Sequence, residues 1–218
     1  MAERDAKTRL YEEALALMGR RGIAATSTRE ILAAAGIKNP SAISYHFGSK
    51  AELVGELAQE LAGGQYPILA AQTELATRDP LPTPTEWVAP VIDTSIELLR
   101  SERGCLLARL WWEFDGYLQP WSLERFVGGE SDVATKWRAA MQRVFPQLPP
   151  LVGLARNVTA LRTIGWNLAR MAQINLKREP FAVRTHVNSR LWLEEIAVTI
   201  VSGPTNLTDE MLTRPDRG

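Results

Sequence analysis

The stretch STREILAAAGIKNPSAISYHFGSKAEL, residues 27–53, decides the fold of this chain. Its pattern predicts three helices separated by two tight stops. In the first helix, Ser27 is a typical cap, Glu30 stands at the spacing of a capping box, and Gly36 supplies the glycine that ends many helices.

The second predicted helix is short, from Pro40 to Phe47. Asn39 before Pro40 is typical of a helix start, because proline at the first helical position loses no hydrogen bond. Gly48 ends this helix, and a longer amphipathic helix follows. Two short helices joined by a glycine-containing turn form a helix-turn-helix, whose second helix fits a DNA major groove roughly 12 Å wide.

Composition agrees with a DNA-reading unit on a larger body. The 218 residues have a formal net charge of zero, but Lys and Arg outnumber the acids within residues 1–50 and the reverse holds beyond them. One cysteine excludes an intramolecular disulfide, and neither a signal peptide nor a bilayer-spanning apolar run is visible. We therefore expect a cytoplasmic protein, associated with the nucleoid when bound to DNA.

Helical periodicity in the rest of the chain predicts an all-α fold, with no alternating pattern long enough for a strand. The pattern loosens between Gly63 and Thr85, and the prolines in residues 79–84 predict a loop. The predicted helices are residues 4–21, Trp87–Arg100, Cys105–Phe114, Asp132–Phe145, Leu151–Lys177 and Phe181–Val201.

The segment GIKNPSAISYHFGSKAEL resembles the signature of the TetR family of bacterial transcriptional regulators. The resemblance covers residues 4–64 and depends on a glycine after a helix, a small-residue turn, Tyr45-His46-Phe47 and then Ser49-Lys50. The turn, residues 37–40, is one residue longer than the commonest family form.

This resemblance implies a division into three parts. Residues 4–64 are the helix-turn-helix head, which binds double-stranded DNA at a palindromic operator. Residues 65–205 form a larger helical domain that binds a small effector and makes a homodimer, and residues 206–218 are a flexible tail. No cofactor is expected, and the chain is expected to be a repressor of TetR type.

Candidate DNA contacts lie at the start of the first of the three helices predicted in residues 27–53, along the second with the turn before it, and at the start of the third. Ala42, Ile43 and Phe47 are expected to pack inside the head, and the resemblance implies that Tyr45, His46 and Lys50 lie near phosphates. The alternative is an ordinary surface helix of a bundle. The candidate contacts are Ser27, Thr28, Arg29, Lys38, Asn39, Ser41, Ser44, Tyr45, His46 and Lys50.

All seven tryptophans follow residue 86. Together with other apolar side chains they suit a pocket for a small apolar or aromatic effector, although ordinary core packing explains each one singly. The candidate lining residues are Trp87, Val91, Leu110, Trp111, Phe114, Trp137, Met141 and Trp166. The two histidines are too isolated for a metal site.

A heptad-like seam in the longest predicted helix suggests dimerisation through a four-helix bundle. The alternative is that the seam belongs to the core of the chain itself. The candidate dimer residues are Leu154, Val158, Leu161, Gly165, Leu168 and Ala172, with Leu193, Ile196 and Ile200 on the last helix.

Two other functions remain open from the sequence. One is a DNA-binding protein without an effector. The other is an all-α enzyme, for which Glu113 and Asp115 are the one paired carboxylate to consider, and a solvated helix end explains that pair better. Cys105 lies in an apolar helix and is expected to be a buried small hydrophobe.

Overall fold

The computed structural model describes residues 2–63, 66–117, 132–177, 187–206 and 208. In this part of the chain there are ten helices and no strand, which confirms the predicted all-α fold. The helices are α1 (Ala2–Arg21), α2 (Thr28–Ala34), α3 (Ala42–Phe47), α4 (Lys50–Gly63), α5 (Tyr66–Leu75), α6 (Pro84–Leu98), α7 (Glu102–Tyr117), α8 (Asp132–Val144), α9 (Pro150–Leu176) and α10 (Val187–Ser202). None of these described helices is long and apolar enough to cross a membrane.

The chain forms two compact units. The first unit consists of α1 to α4, α7 and the part of α9 from Gly165 onward. Here α7 packs on α1 and α4, and α1 also packs on α2. The core contains large aliphatic side chains with no exposed surface, and each contributes about 1.5–3 kcal/mol when buried. These residues are Leu10, Met18, Ile31, Leu53 and Leu57.

The second unit consists of α5, α6 up to Ile96, α8, α9 up to Ile164, and α10. Helix α5 packs on α8. The indoles of Trp87 and Trp137 are fully buried and stack with ring centroids 6.4 Å apart. Phe145 meets Trp87 edge-on at 5.9 Å, which is a favourable aromatic geometry. Two tryptophans therefore form the centre of this unit.

The sequence pattern missed helix α5. It contains Pro67, but this residue lies in the first turn, where a missing N–H leaves no intrahelical bond unmade. The expected final helix begins at Val187 among the described residues, and its predicted start at 181–186 lies outside them. Most of the predicted tail, 206–218, also lies outside them.

Candidate nucleic-acid interface

The start of α2 is held by a reciprocal pair of contacts between Ser27 and Glu30. The Ser27 hydroxyl accepts the Glu30 N–H at 3.2 Å, and the Glu30 carboxylate accepts the Ser27 N–H at 2.8 Å. The Ser27 hydroxyl also donates to this carboxylate. The two bonds that the carboxylate accepts, first the one from the backbone, hold the pKa of Glu30 below its ordinary value. The predicted capping box is therefore confirmed. The next residues, Thr28 and Arg29, are exposed.

Helix α3 begins at Ala42, two residues later than predicted. The carboxamide oxygen of Asn39 accepts the N–H of Ser41 at 3.0 Å, so Pro40 lies inside a side-chain-closed turn rather than in the helix. A short polar side chain that bonds to the backbone two residues on competes with helix formation. The predicted stops are present, since Gly36 and Gly48 have positive φ angles of 66° and 84°.

The two faces of α3 differ in polarity. Ala42, Ile43 and Phe47 are buried, which confirms the predicted packing side. The outer side has exposed Ser41 and Ser44, and the Tyr45 side chain is 70% exposed. The turn before the helix also exposes Lys38 and Asn39. Helix α3 and the turn before it thus expose hydroxyl, amide and ammonium groups, while the apolar side of the helix is buried.

Tyr45, His46 and Phe47 form a chain of ring contacts along this helix. The Tyr45 and His46 centroids are 4.9 Å apart in an edge geometry, and His46 is half-buried. The Lys7 ammonium from α1 lies 4.9 Å from the centre of the Phe47 ring. This cation–π contact and the burial of Phe47 connect α3 to the first helix.

Lys50 is the first residue of α4. Its ammonium donates to the carbonyl oxygen of Ile23 at 2.7 Å. A lysine ammonium has three N–H donors, so two remain for other acceptors. Beside it, the Ser49 hydroxyl accepts the N–H of Glu52 at 3.1 Å and caps α4. The half-buried Lys50 is thereby held at a defined position on the head.

The candidate effector residues belong to both units. Trp87, Val91, Trp137 and Met141 are buried in the second unit, whereas Leu110, Trp111, Phe114 and Trp166 belong to the first. Leu110 and Phe114 are buried, and Trp166 is about half exposed. Within the second unit, Val91 and Trp137 line a cavity of only about 10 Å³.

Two amides that the sequence reasoning missed also line this cavity. Gln72 accepts the indole N–H of Trp137 at 2.7 Å, and its own amide donates to the carbonyl of Trp87 at 2.7 Å. The indole N–H of Trp87 in turn donates to Asn157 at 2.9 Å. One feature of the sequence could have revealed Asn157. It is a polar residue on a helix face whose neighbours at helical spacing, Gly153 and Ala160, are small and nonpolar.

Most of the candidate dimer residues are buried in the interior of a single copy of the chain. Leu161 lines the same second-unit cavity, and Gly165 lies so close to the indole of Trp111 that a Cβ there would have no room. The buried residues are Val158, Leu161, Gly165, Leu168, Ala172 and Leu193, while Leu154, Ile196 and Ile200 are half-buried.

Other large apolar side chains on α9 and α10 are exposed. An open groove of about 500 Å³ also runs between these two helices in the second unit, lined mainly by apolar atoms from residues such as Val152, Ala155 and Ile200. The exposed residues are Leu151, Trp166, Ile174, Leu191 and Trp192.

The predicted burial of Cys105 is confirmed, since its thiol has no exposed surface. Burial raises the pKa of this thiol, and a protonated thiol is a poor nucleophile. Among the described residues, no group of three or more His, Cys, Asp or Glu is placed to hold a metal ion.

Comparisons with known proteins agree with this site. The family described as bacterial regulatory proteins, tetR family, matches residues 10–57, which span most of α1, all of α2 and α3 and about half of α4. A crystal structure from Mesorhizobium loti MAFF303099, described as that of a TetR-family transcriptional regulator, is 16% identical, with a TM-score of 0.50. The alignment covers 92% of this chain and 95% of that one, a similarity of fold. No curated protein sequence matches significantly. The matched residues are those that build the capped, outward-facing helix pair, so this part of the chain is similar to the tetR family of bacterial regulatory proteins.

Proposed function

We propose that this chain is a homodimeric, ligand-responsive repressor that binds a palindromic operator. In this proposal residues 4–64 bind DNA, and residues 65–205 bind the effector and form the dimer. The observation that carries it is the polar outer side of α3, which stands on a buried apolar base beside Lys50. It is not proposed to be an enzyme, because the Glu113 carboxylate is already bonded to Ile23 and Arg109. The Asp115 side chain lies outside the described part of the structure.

DNA contact follows from the geometry of the head. Helix α3 enters the major groove, where Ser44 and Asn39 reach base edges. Tyr45, His46 and Lys50 contact phosphates and set the position of the helix, since backbone contacts orient a protein on the duplex. A second copy reads the other half-site about one helical turn, roughly 34–36 Å, away.

The proposed dimer uses exposed side chains of α9 and α10. Of the seven exposed large hydrophobic residues in the described chain, five lie on these two helices, three on α9 and two on α10. Exposed apolar side chains of this kind are candidates for an interface. The seam predicted from periodicity contributes mainly to the interior, as Leu161 and Gly165 show. The neighbouring outward positions, such as Trp166 and Trp192, are therefore the better candidates.

The proposed effector is a small apolar or aromatic molecule that opens the second-unit cavity. Drug-sized ligands occupy about 300–1,000 Å³, far more than the 10 Å³ present, so side chains must move to admit one. Gln72 and Asn157 offer amide groups that would orient it. The effector regulates DNA binding only to the extent that it binds one conformation more tightly than another.

A second candidate function is DNA binding without an effector, and the same cavity favours it. Its space is nearly filled, and no buried side-chain nitrogen or oxygen among the described residues lacks a hydrogen-bond partner. A cavity of this kind has no unpaired polar group that calls for a ligand. Titration with compounds that perturb tryptophan emission separates the two functions.

The DNA-binding proposal is tested first by selection from random duplexes, followed by two substitutions. Lys50→Ala should weaken binding to every duplex and reduce the slope of log affinity against log salt by about 1.8, because each of the two subunits loses one phosphate contact. Ser44→Ala should instead relax the preference at one position in each half-site, by roughly 1–3 kcal/mol. The measurement is fluorescence anisotropy with the selected duplex and its single-base variants.

The two variants serve as controls for each other, because one removes a phosphate contact and the other a base contact. If the wild-type protein enriches no sequence and shows no salt-dependent duplex binding, the proposed function is wrong. An unchanged salt slope in Lys50→Ala would contradict the proposed docking of α4.

A further inference from the structure

Glu113, on α7, makes an unusual contact for a carboxylate on a helix surface. Its Oε2 accepts the backbone N–H of Ile23, 90 residues earlier in the chain, at 2.6 Å. Its Oε1 accepts the guanidinium N–H of Arg109 at 3.0 Å. Both side chains are only 24% exposed, so this is a partly desolvated arrangement. The first unit contains all three residues.

Ile23 lies in the loop between α1 and α2 and is fully buried. Its N–H goes to Glu113, and its carbonyl oxygen accepts the ammonium of Lys50 at 2.7 Å. One residue of the loop thus joins a carboxylate on α7 to the lysine at the start of α4. A buried N–H that loses its acceptor is costly, so Glu113 has a strong influence on where this loop rests.

The rest of the loop is packed equally closely. A Cβ on Gly22 would lie 3.0 Å from Oε1 of Glu113 and 3.2 Å from Oε2, so the glycine lets the backbone approach the carboxylate. Thr26 closes the loop by donating its hydroxyl to the Gly22 carbonyl at 2.9 Å. The loop then leads directly into the Ser27 cap of α2.

We propose that Glu113 is a positioning residue for DNA binding, which holds the α1–α2 loop through Ile23 and thereby places the Lys50 ammonium. This inference rests on the proposed function. Glu113 itself touches no DNA. Without it, the loop and Lys50 sample several arrangements, and the apparent dissociation constant rises as the competent fraction falls.

Glu102 and Arg103, two other charged residues of α7, make contacts of a different kind. Glu102 pairs with Arg20 of α1, and Arg103 pairs with Glu12 and with Glu60, the latter at 2.8 Å. These pairs are more exposed than the one made by Glu113, and such pairs contribute little. They join side chains of long helices, whereas Glu113 bonds to the backbone of a loop.

Two substitutions of Glu113 distinguish the effect of its side-chain length on DNA affinity from the effect of its charge. Glu113→Gln loses the charge but keeps an oxygen at the same distance from Ile23. Glu113→Asp keeps the charge but is shorter by one C–C bond, about 1.5 Å. Affinity for the selected duplex should fall about tenfold in Glu113→Asp, equivalent to about 1.4 kcal/mol, and change little in Glu113→Gln. Glu102→Gln, on the same helix, is the control for loss of one negative charge.

A double-mutant cycle with Lys50→Ala tests whether Glu113 acts through that lysine. If it does, Glu113→Asp should reduce the salt slope as Lys50→Ala does, and adding it to Lys50→Ala should cause little further loss of affinity. A residue that only stabilises the fold would lower affinity equally in both backgrounds and leave the salt slope unchanged.

The outcomes are distinguishable from those for the proposed function. Failure of the wild-type protein to bind any duplex removes the proposed function, and this inference with it. Normal wild-type binding together with additive losses, or with Glu113→Gln weaker than Glu113→Asp, overturns the inference alone. If Glu113→Asp does not give a cooperative melt, Arg109→Gln, which removes the guanidinium that holds Oε1 of Glu113, takes its place in the same cycle.

Discussion

Glu30 is a single residue whose charge state determines the strength of one half of the α2 capping box. Its carboxylate accepts both the N–H and the hydroxyl of Ser27, and these bonds lower its pKa from the ordinary 4.5. A group with a depressed folded-state pKa stabilises the fold above its unfolded-state pKa. That stabilisation is lost as the pH falls through the folded-state pKa. The capping contribution of Glu30 is therefore present at neutral pH and disappears below pH 4.5.

Glu30→Gln should accordingly lower the stability at neutral pH, with a difference from wild type that shrinks as the pH falls below 4.5. Urea denaturation of both proteins across this range measures it. Ser27→Ala also removes the hydroxyl that accepts the Glu30 N–H, a neutral bond, so its stability difference from wild type should persist below pH 4.5. A difference for Glu30→Gln that stays constant with pH would mean that the carboxylate charge has no part in the cap.

The contacts of a single residue can be predicted from the sequence when its partner is close along the chain, and not when the partner is distant. The Ser27–Glu30 box was predictable because both partners lie within one helical turn. The bond from Ile23 to Glu113 was not, because the two residues are 90 positions apart and an isolated carboxylate near a helix end is usually solvated. Asn39 was an intermediate case: it was predicted to cap the helix, but the cap position is Ser41, and the Asn39 side chain instead closes the turn before it.

Among the elements, α9 and α10 show what periodicity does and does not reveal. The spacing of Leu154, Leu161 and Leu168 correctly indicates a helix with an apolar face. It contains no information about what covers that face, and Leu161 is covered by the chain itself. Helix α5 was not predicted because helical periodicity is weak after Gly63, although Pro67 in its first turn leaves no intrahelical bond unmade.

Because the proposed dimer uses exposed apolar residues of α9 and α10, we expect a charge substituted at one of them to change the oligomeric state. Trp192→Glu should weaken the dimer by roughly 2 kcal/mol or more, because a symmetric interface receives the new charge twice and loses an aromatic anchor. Sedimentation at micromolar concentration should show the shift to monomer. Leu161→Glu should instead unfold the chain, because it places a charge in the interior.

Leu81→Glu is the matched control for this experiment. Leu81 is also an exposed apolar residue, at 40%, but lies in the loop before α6. It should leave the dimer intact. A wild-type protein that sediments as a monomer at these concentrations would remove the dimer from the proposal.

At the level of the whole molecule, the compact units do not follow the linear division at residue 64. Helix α7 and the end of α9 pack with α1 to α4, so the first unit contains segments from far along the chain. Local patterns predicted the end of α4 well but not these distant segments. The division into DNA-binding and effector-binding residues therefore remains a proposal about function.

If an effector regulates DNA binding, the affinity for the effector and the affinity for the operator must depend on each other. An effector that changes operator affinity has its own affinity changed by the same factor. Since all seven tryptophans follow residue 86, their emission reports on residues outside the head. For a compound that alters this emission, adding operator should shift the titration midpoint by roughly 5–150-fold.

The control for this titration is a duplex of equal length without the selected half-sites, which should shift the midpoint much less. An unchanged midpoint with operator would show that the compound is no effector. The same result for every emission-altering compound would favour the second candidate function, DNA binding without an effector.

The burial of Cys105 makes selective chemical labelling practical. The sequence has no other cysteine, and this thiol is enclosed, with a raised pKa, so maleimide reagents should leave it unmodified under native conditions. A cysteine introduced at an exposed position such as Ser44 would then be the only reactive thiol. In a dimer, two spin labels or a donor–acceptor dye pair attached there would measure directly how far apart the two copies of α3 are in solution.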